Sequence, residues 1–161
     1  VGDGWEIPDA AKGRMSSFKG TYTYSVDSKG RINIPSRLRK YVSPEANDTF
    51  VLTRGYDRCL FVYPLDEWNR LEQSIRALNP SDAQHRFVMR TLLQWATEAQ
   101  LDQQSRIILP KELLQFAEIT AEVRIVGVLD HMEIWNPSVY ERYMAEQGET
   151  YESVAQRVLT K

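Results

Sequence analysis

A chain of 161 residues, 42% apolar and 26% charged, has the composition of a folded globular protein, long enough for one substantial core or two small ones. No apolar run approaches the roughly 20 residues of a membrane helix, and no secretory signal is visible, so the expected compartment is the cytoplasm. A formal net charge of -2 excludes coating of nucleic acid through overall basicity and leaves only a local patch, while the single Cys59 excludes an internal disulfide and a multi-cysteine zinc site and reads as a small apolar residue on a strand.

The first 17 residues hold Gly2, Gly4, Pro8 and Gly13 without an apolar period and open on Val1 rather than Met. They read as a flexible extension or cloning remnant, with Met15 the natural start and an ordered arm the alternative. A strand from Thr21 to Val26 then meets a tight turn, and a second strand alternates Ile32 and Ile34 with Arg31 and Asn33. Pro35 ends that strand because it cannot donate to a ladder, and a short helix is predicted from Ser36 to Tyr41. Strands from Asp48 to Thr53 and Cys59 to Tyr63 close the unit. Leu65, Trp68, Leu71, Ile75 and Leu78 step by three or four along one helical face. Ser81 is the expected N-cap of the next helix, which runs to about Ala96 and carries Phe87, Val88, Leu92 and Trp95 as a core stripe rather than a cofactor site.

From Ala99 the pattern starts again, with strands from Ala99 to Leu101 and through Ile107 and Leu109, Pro110 as terminator, a helix from Lys111 to Ala117, and strands from Glu122 to Val128 and Met132 to Trp135. A helix with Val139, Tyr140, Tyr143 and Met144 follows Pro137, and a tail helix spans Tyr151 to Leu159. The recurrence is literal. Asp27 to Pro35 realigns with Asp102 to Pro110 at a constant offset of 75, and Asp57 to Pro64 with Asp130 to Pro137 at 73. A whole unit is therefore duplicated. The expected organisation is an extension (1–17), a first repeat with its helix (18–80), a connecting helix (81–98), a second repeat with its helix (99–147) and a tail helix (148–161).

The first turn, Asp27-Ser28-Lys29-Gly30-Arg31, suits a tip pressed against a phosphate backbone. Asp27 is placed to bond backbone N–H groups two residues on, and Gly30 supplies a positive φ. The guanidinium of Arg31 beside Lys29 is a fork for a phosphate or for guanine O6 and N7. Between Lys19 and Tyr41, six basic residues (Lys19, Lys29, Arg31, Arg37, Arg39, Lys40) face Asp27 alone, a net of +5. The matching stretch from Glu98 to Glu118 has Arg106 and Lys111 against four acids, a net of -2, with Gln104 for the lysine and Ser105 for the glycine. The first unit is thus expected to touch nucleic acid while the second completes the fold. The competing reading of Arg31 is a structural bridge to Asp27; for Arg106 the bridge to Asp102 is favoured. Arg37, Arg39 and Lys40 are the weaker candidates, since a run of charge on a short helix usually marks a solvated face.

Phe18-Lys19-Gly20-Thr21-Tyr22, the stretch from Val26 through Arg31 with Ile34-Pro35, the Phe87-Val88 to Ala96-Thr97-Glu98 helix, and Val126-Gly127 leading to Glu133-Ile134-Trp135 together resemble the MraZ family from Phe18 nearly to the end. The resemblance implies an α+β, mainly β fold: the AbrB/MazE-like swapped-hairpin (double-split) β-barrel, both copies in one chain as a pseudo-dimer with peripheral helices. It further implies a nucleoid-associated, sequence-specific transcriptional regulator of the division and cell-wall gene cluster. Such a regulator binds double-stranded DNA at direct repeats in the promoter as a ring homo-oligomer, and its Asp-x-Lys-Gly-Arg turn maps the DNA contact onto Lys29 and Arg31. The chain departs from the family at Gln104 and Ser105, where the second copy commonly keeps Lys or Gln followed by Gly. That departure bears on a DNA role for the second turn rather than on the fold.

The DNA-contacting set is therefore Lys29, Arg31, Lys19, Arg37, Arg39 and Lys40, and the turn-forming set Asp27, Gly30, Asp102 and Arg106. The rival class is an antitoxin-type interaction module, using the tail from Gln147 to Lys161 with Tyr151, Val154 and Val158 at helical spacing; packing of that tail on a neighbouring copy is favoured over a foreign partner. An enzyme is not expected, because His85 and His131 lack a nucleophile or paired carboxylate at a recurring spacing. Neither a cofactor, a metal, a membrane nor a small-molecule substrate is expected.

Overall fold

The computed structural model describes residues 16–160. Residues 1–15, most of the expected extension, lie outside it. Ser16 is buried, and its N–H donates to the Glu67 carboxylate at 2.8 Å, so the chain is already packed ahead of Phe18.

In chain order the elements are β1 (Thr21–Ser25), β2 (Arg31–Asn33), α1 (Ser36–Arg39), a 3-10 turn (Pro44–Ala46), β3 (Thr49–Arg54), β4 (Leu60–Pro64), α2 (Leu65–Arg76), α3 (Ala83–Gln94), β5 (Thr97–Gln100), β6 (Arg106–Ile108), α4 (Lys111–Phe116), β7 (Glu122–Gly127), β8 (Met132–Trp135), α5 (Pro137–Ala145) and α6 (Tyr151–Leu159). The fold is α+β and antiparallel throughout. Six strands form one sheet in the order β1-β7-β8-β4-β3-β5, and β2 pairs with β6 in a separate two-stranded ribbon. None of the helices among the described residues is long and apolar enough to cross a membrane.

The repeats are interleaved. β1 of the first repeat pairs with β7 of the second, Thr21 opposite Val126, and β5 of the second pairs with β3 of the first, Thr49 opposite Gln100. The ribbon joins one strand from each, with Ile32 opposite Ile107. Equivalent residues consequently meet in one core: Ile32, Ile34 and Leu38 from the first repeat and Ile107, Leu109 and Leu113 from the second are each no more than 2% exposed. Burial of side chains of this size stabilises by about 1.5–3 kcal/mol each. Neither repeat encloses these residues alone.

β4 is buried along its whole length, because Leu60 and Val62 point into this core while Phe61 and Tyr63 point to a second one. That second cluster, with Trp68 from α2, Trp135 and Val139, lines the opposite face of the sheet. α2 starts directly after Pro64 with Asp66 and Glu67 in its first turn, where carboxylates favour the positive helix end, and it seats Trp68 and Ile75.

Three expectations are corrected. The N-cap of α3 is Asp82, not Ser81; its carboxylate accepts from the N–H groups of Gln84 and His85. Thr97 and Glu98 leave the connecting helix for β5, because pairing with Leu52 and Val51 claims them. The α3 stripe is core only in part: Leu92 and Trp95 pack, partly buried, against the two clusters, while Phe87 is 70% and Val88 51% exposed and no residue of the helix is fully buried. α3 is held instead through the Thr53 hydroxyl, which donates to the Leu92 carbonyl at 2.8 Å, and through Trp95 just after it, which packs on Phe116. Cys59 is fully buried, and burial pushes its thiol pKa far up, as suits a packing residue. His85 Nδ1 accepts from the Asn79 N–H, and His131 pairs with Asp130 and stacks on Tyr63.

Candidate nucleic-acid interface

The turn ahead of β2 is built by one carboxylate. Asp27 Oδ1 accepts the N–H groups of Lys29 and Arg31, both at 2.9 Å, and Oδ2 accepts Arg31 Nε at 2.6 Å. The Gly30 N–H donates to the Asp27 carbonyl at 3.0 Å, and Gly30 takes φ +80°. The backbone N–H of Arg31 first, and then its guanidinium and the N–H of Lys29, lower the Asp27 pKa to about 2. Asp27 is therefore ionised across the physiological range and neutralises part of the charge at its own tip.

The second turn repeats this bond for bond. Asp102 Oδ1 accepts from Gln104 N (2.8 Å) and Arg106 N (2.9 Å), and Oδ2 from Arg106 Nε at 2.9 Å. Its pKa is lowered as well, chiefly by the Arg106 N–H. Ser105 adopts φ +63°, so the glycine was replaced without change of turn. A left-handed L-residue costs about 1–2 kcal/mol, part of which glycine returns through greater unfolded-state freedom. Ser105→Gly is expected to stabilise the fold by about 0.5–1 kcal/mol, read as a rise in the thermal midpoint of about 2–3 °C. An unchanged or lower midpoint would contradict the strain argument.

The two turns are locked together through the ribbon. The Leu109 N–H donates to the Gly30 carbonyl (2.8 Å) and the Ile34 N–H to the Ser105 carbonyl (2.9 Å). Arg106 Nη1 lies 3.9 Å from Asp27 Oδ2, and the Asn33 amide donates to the Gln104 carbonyl at 3.1 Å. Arg31 and Arg106 are thus half-buried members of one ion network, their side chains 27% and 22% exposed, while Lys29 and Gln104 are exposed. The structural bridge of Arg31 to Asp27 is present. It uses only Nε, and neither terminal nitrogen of Arg31 hydrogen-bonds within the described residues.

The remaining predicted cations divide. Lys19, Arg37 and Lys40 line a cleft of about 380 Å³ with Gly20, Tyr22 and Tyr41, and both Lys19 Nζ and Lys40 Nζ stand 5.3 Å from the Tyr41 ring centroid. This cleft adjoins the start of β1, whereas the turn follows its end. Arg39 serves the fold, its Nε donating to the Ile34 carbonyl at 3.0 Å. Sequence reasoning grouped these cations by proximity along the chain and missed Tyr41, whose ring gathers Lys19 and Lys40, and Tyr22, which lines the same cleft; the available signal was the aromatic residues next to the lysines.

Comparison with known proteins agrees with the duplicated plan. The family model described as "MraZ protein, putative antitoxin-like" matches twice, over residues 17–91 and 92–161. The chain belongs to the MraZ family. Among the curated relatives named "Transcriptional regulator MraZ", that of Moorella thermoacetica is 41% identical over 142 residues, covering 88% of this chain and 96% of the relative. That of Halothermothrix orenii is 40% identical over 138 residues (86% and 94%), and that of Natranaerobius thermophilus 38% over 142 (88% and 96%). The two MraZ matches divide the chain inside α3, so the Asp27 and Asp102 turns fall one in each copy.

Proposed function

We propose that the protein is a sequence-specific, DNA-binding transcriptional regulator that presents its Lys29/Arg31 tip to double-stranded DNA. The observation that carries this reading is the tip itself: an exposed lysine and the two terminal nitrogens of Arg31, neither hydrogen-bonded within the described residues, on a turn stiffened by Asp27, in a chain of net negative charge. The relatives' name, "Transcriptional regulator MraZ", points the same way. Lys19, Arg37 and Lys40 contribute a second set of phosphate contacts, with Arg39 nearby. In this reading the exchanged strand pairing is that of a swapped-hairpin barrel formed as an intrachain pseudo-dimer. The protein works at the nucleoid, on direct repeats in the promoter of the division and cell-wall gene cluster.

Avidity follows from assembly into a ring. One tip holds few phosphates, and joining several tips on one DNA raises apparent affinity by about 10²- to 10⁴-fold. The surfaces available for ring contacts are the exposed Phe87 and Val88 on α3 and Tyr151, Val154, Val158 and Leu159 on α6. Deleting the chain after Gln147 is expected to lower the mass seen by light scattering to that of smaller species; an unchanged mass would favour a foreign partner for the tail, as in an antitoxin-type module.

The experiment that tests the function is a titration of a direct-repeat promoter duplex at several salt concentrations. A lone protomer contacting through Lys29, Arg31, Lys19, Arg37 and Lys40 gives a log–log slope of about -4.5 at most. A steeper slope, with preference over a shuffled duplex, is the expected result. A slope no steeper than that, without sequence preference, would overturn the reading.

A further inference from the structure

Residues 75 apart occupy equivalent places around the β2/β6 ribbon, and two such pairs differ in ways the shared framework does not require. The Asp27/Asp102 and Arg31/Arg106 pairs make the same bonds. Lys29 is matched by Gln104, and Asn33 by Ile108. Ile32, Ile34, Ile107 and Leu109 point inward, so Arg31, Asn33, Arg106 and Ile108 share the outward face. Ile108 is 57% exposed there, an aliphatic side chain set opposite Arg31 on a face of polar and charged residues and outside the core cluster.

Resting on the DNA-binding reading above, we propose that Gln104 and Ile108 are the base-reading residues of the second repeat and give each protomer a recognition site with unlike halves. A two-stranded ribbon is of a size to enter the major groove, where the thymine methyl is the apolar feature and base-edge acceptors are the polar ones. Ile108 supplies the apolar contact. Gln104 supplies a donor: its Oε1 is occupied by Arg106 Nη2, which leaves the amide hydrogens facing an acceptor such as guanine O6 or N7 or thymine O4. The ladder from Gly30/Leu109 to Ile34/Ser105 places the two tips four residues apart along the ribbon, about 14 Å, or on the order of four base pairs. At the first tip Lys29 and Arg31 grip by charge beside Ile108, which stands opposite Arg31, while at the second tip Gln104 reads by hydrogen bonding beside Asn33. A symmetric pair of tips would read a palindrome; this pair does not.

The test is enrichment of preferred sequences by the full chain from a pool of duplexes with a randomised centre, comparing the wild type with Gln104→Ala, Ile108→Ala and the double variant Gln104→Lys/Ile108→Asn, which gives the second repeat the first repeat's residues at these two positions. The wild type is expected to enrich a motif with unlike halves. Each alanine variant should lose about tenfold discrimination at one side of it, and the double variant should shift enrichment toward matched halves. The same motif from wild type and both alanine variants would overturn the proposal while leaving the DNA-binding reading intact, and so would a palindrome enriched by the wild type. Failure of the wild type to retain any duplex would overturn both. Light scattering on Ile108→Ala separates the remaining role for an exposed isoleucine: a fall in mass would assign it to contact between copies and remove it from base reading.

Discussion

Arg31→Ala is expected to bring binding of a direct-repeat duplex below detection while leaving the thermal midpoint and the oligomer mass close to those of the wild type. Two effects act in the same direction. The variant removes the terminal nitrogens that make no hydrogen bond within the described residues and can meet a phosphate or a guanine, and it leaves Asp27 with only the more distant Arg106, 3.9 Å away, to balance its charge at the tip. A charge-assisted hydrogen bond is worth roughly 10- to 100-fold in affinity, and an assembly using several tips at once multiplies that loss. The fold suffers little, because Oδ1 of Asp27 still holds the turn through the backbone N–H groups of Lys29 and residue 31, and a half-buried ion pair at the edge of solvent adds only modest stability. Arg31→Lys keeps the charge but loses the planar fork, so it should fall between the two. Lys29→Ala should weaken all duplexes alike and reduce the salt slope by about one per protomer engaged. Fluorescence anisotropy over a salt series, with light scattering on the same samples, reads all three. Wild-type affinity in Arg31→Ala would reduce Arg31 to a structural bridge.

The largest loss of stability is expected from Gly127→Ala. A Cβ there would lie 2.7 Å from Lys19 Cα and nearer still to Lys19 N and the Phe18 carbonyl carbon, all of them backbone. That crossing segment cannot step aside. The Phe18 N–H donates to the Leu129 carbonyl, the Leu129 N–H returns to Phe18 and the Gly127 N–H bonds the Gly20 carbonyl, all within 2.9 Å, while the Phe18 ring is fully buried in the main core. Overpacking of a well-filled site costs about 1–3 kcal/mol and more where backbone must move, so about 3 kcal/mol is expected, a fall of about 6–12 °C in the thermal midpoint. Gly148→Ala is the control: nothing lies within 4 Å of its added Cβ, and a change of less than about 0.5 kcal/mol is expected. Equal midpoints for the two variants would mean that the Phe18–Gly20 segment is not seated as described.

Much of the candidate site was legible before any fold was known, because its determinants are local. Asp27 and Arg31 stand four apart around a glycine, and a carboxylate at that spacing reaches the N–H groups and guanidinium of its own turn whatever lies behind it. The second turn was legible for the same reason, and serine in place of glycine at position 105 takes up the positive φ at a modest cost. What the turn faces was not legible. The approach of Arg106 to Asp27 and the bond from Asn33 to Gln104 join residues more than 70 apart, and no pattern along the chain encodes them.

The helices show the same divide. The three-and-four spacing in α2 and α3 predicts an apolar face in both, yet α2 buries Trp68 and Ile75 while α3 leaves Phe87 and Val88 in the open. Periodicity states that a face wants cover; it does not state whether the cover comes from the same chain. The expected start at Ser81 failed by one residue because Ser81 and Asp82 are both good caps, and the choice rests on which side chain meets the first free N–H groups.

By itself the sequence determined the duplication, the in-and-out parity of the β2 and β6 strands, the two Asp-to-Arg turns and the excess of positive charge on the first of them, since each is a relation among residues a few positions apart or an exact recurrence. Only the tertiary structure decided that β1 pairs with β7 and β5 with β3 rather than within their own repeats, that Arg31 and Arg106 share one ion network, and why residue 127 is glycine. The physical reason is that two copies of one strand pattern satisfy hydrogen bonding equally well within or across repeats, so the outcome is set by which arrangement encloses Ile32, Ile34, Ile107 and Leu109 in a common core.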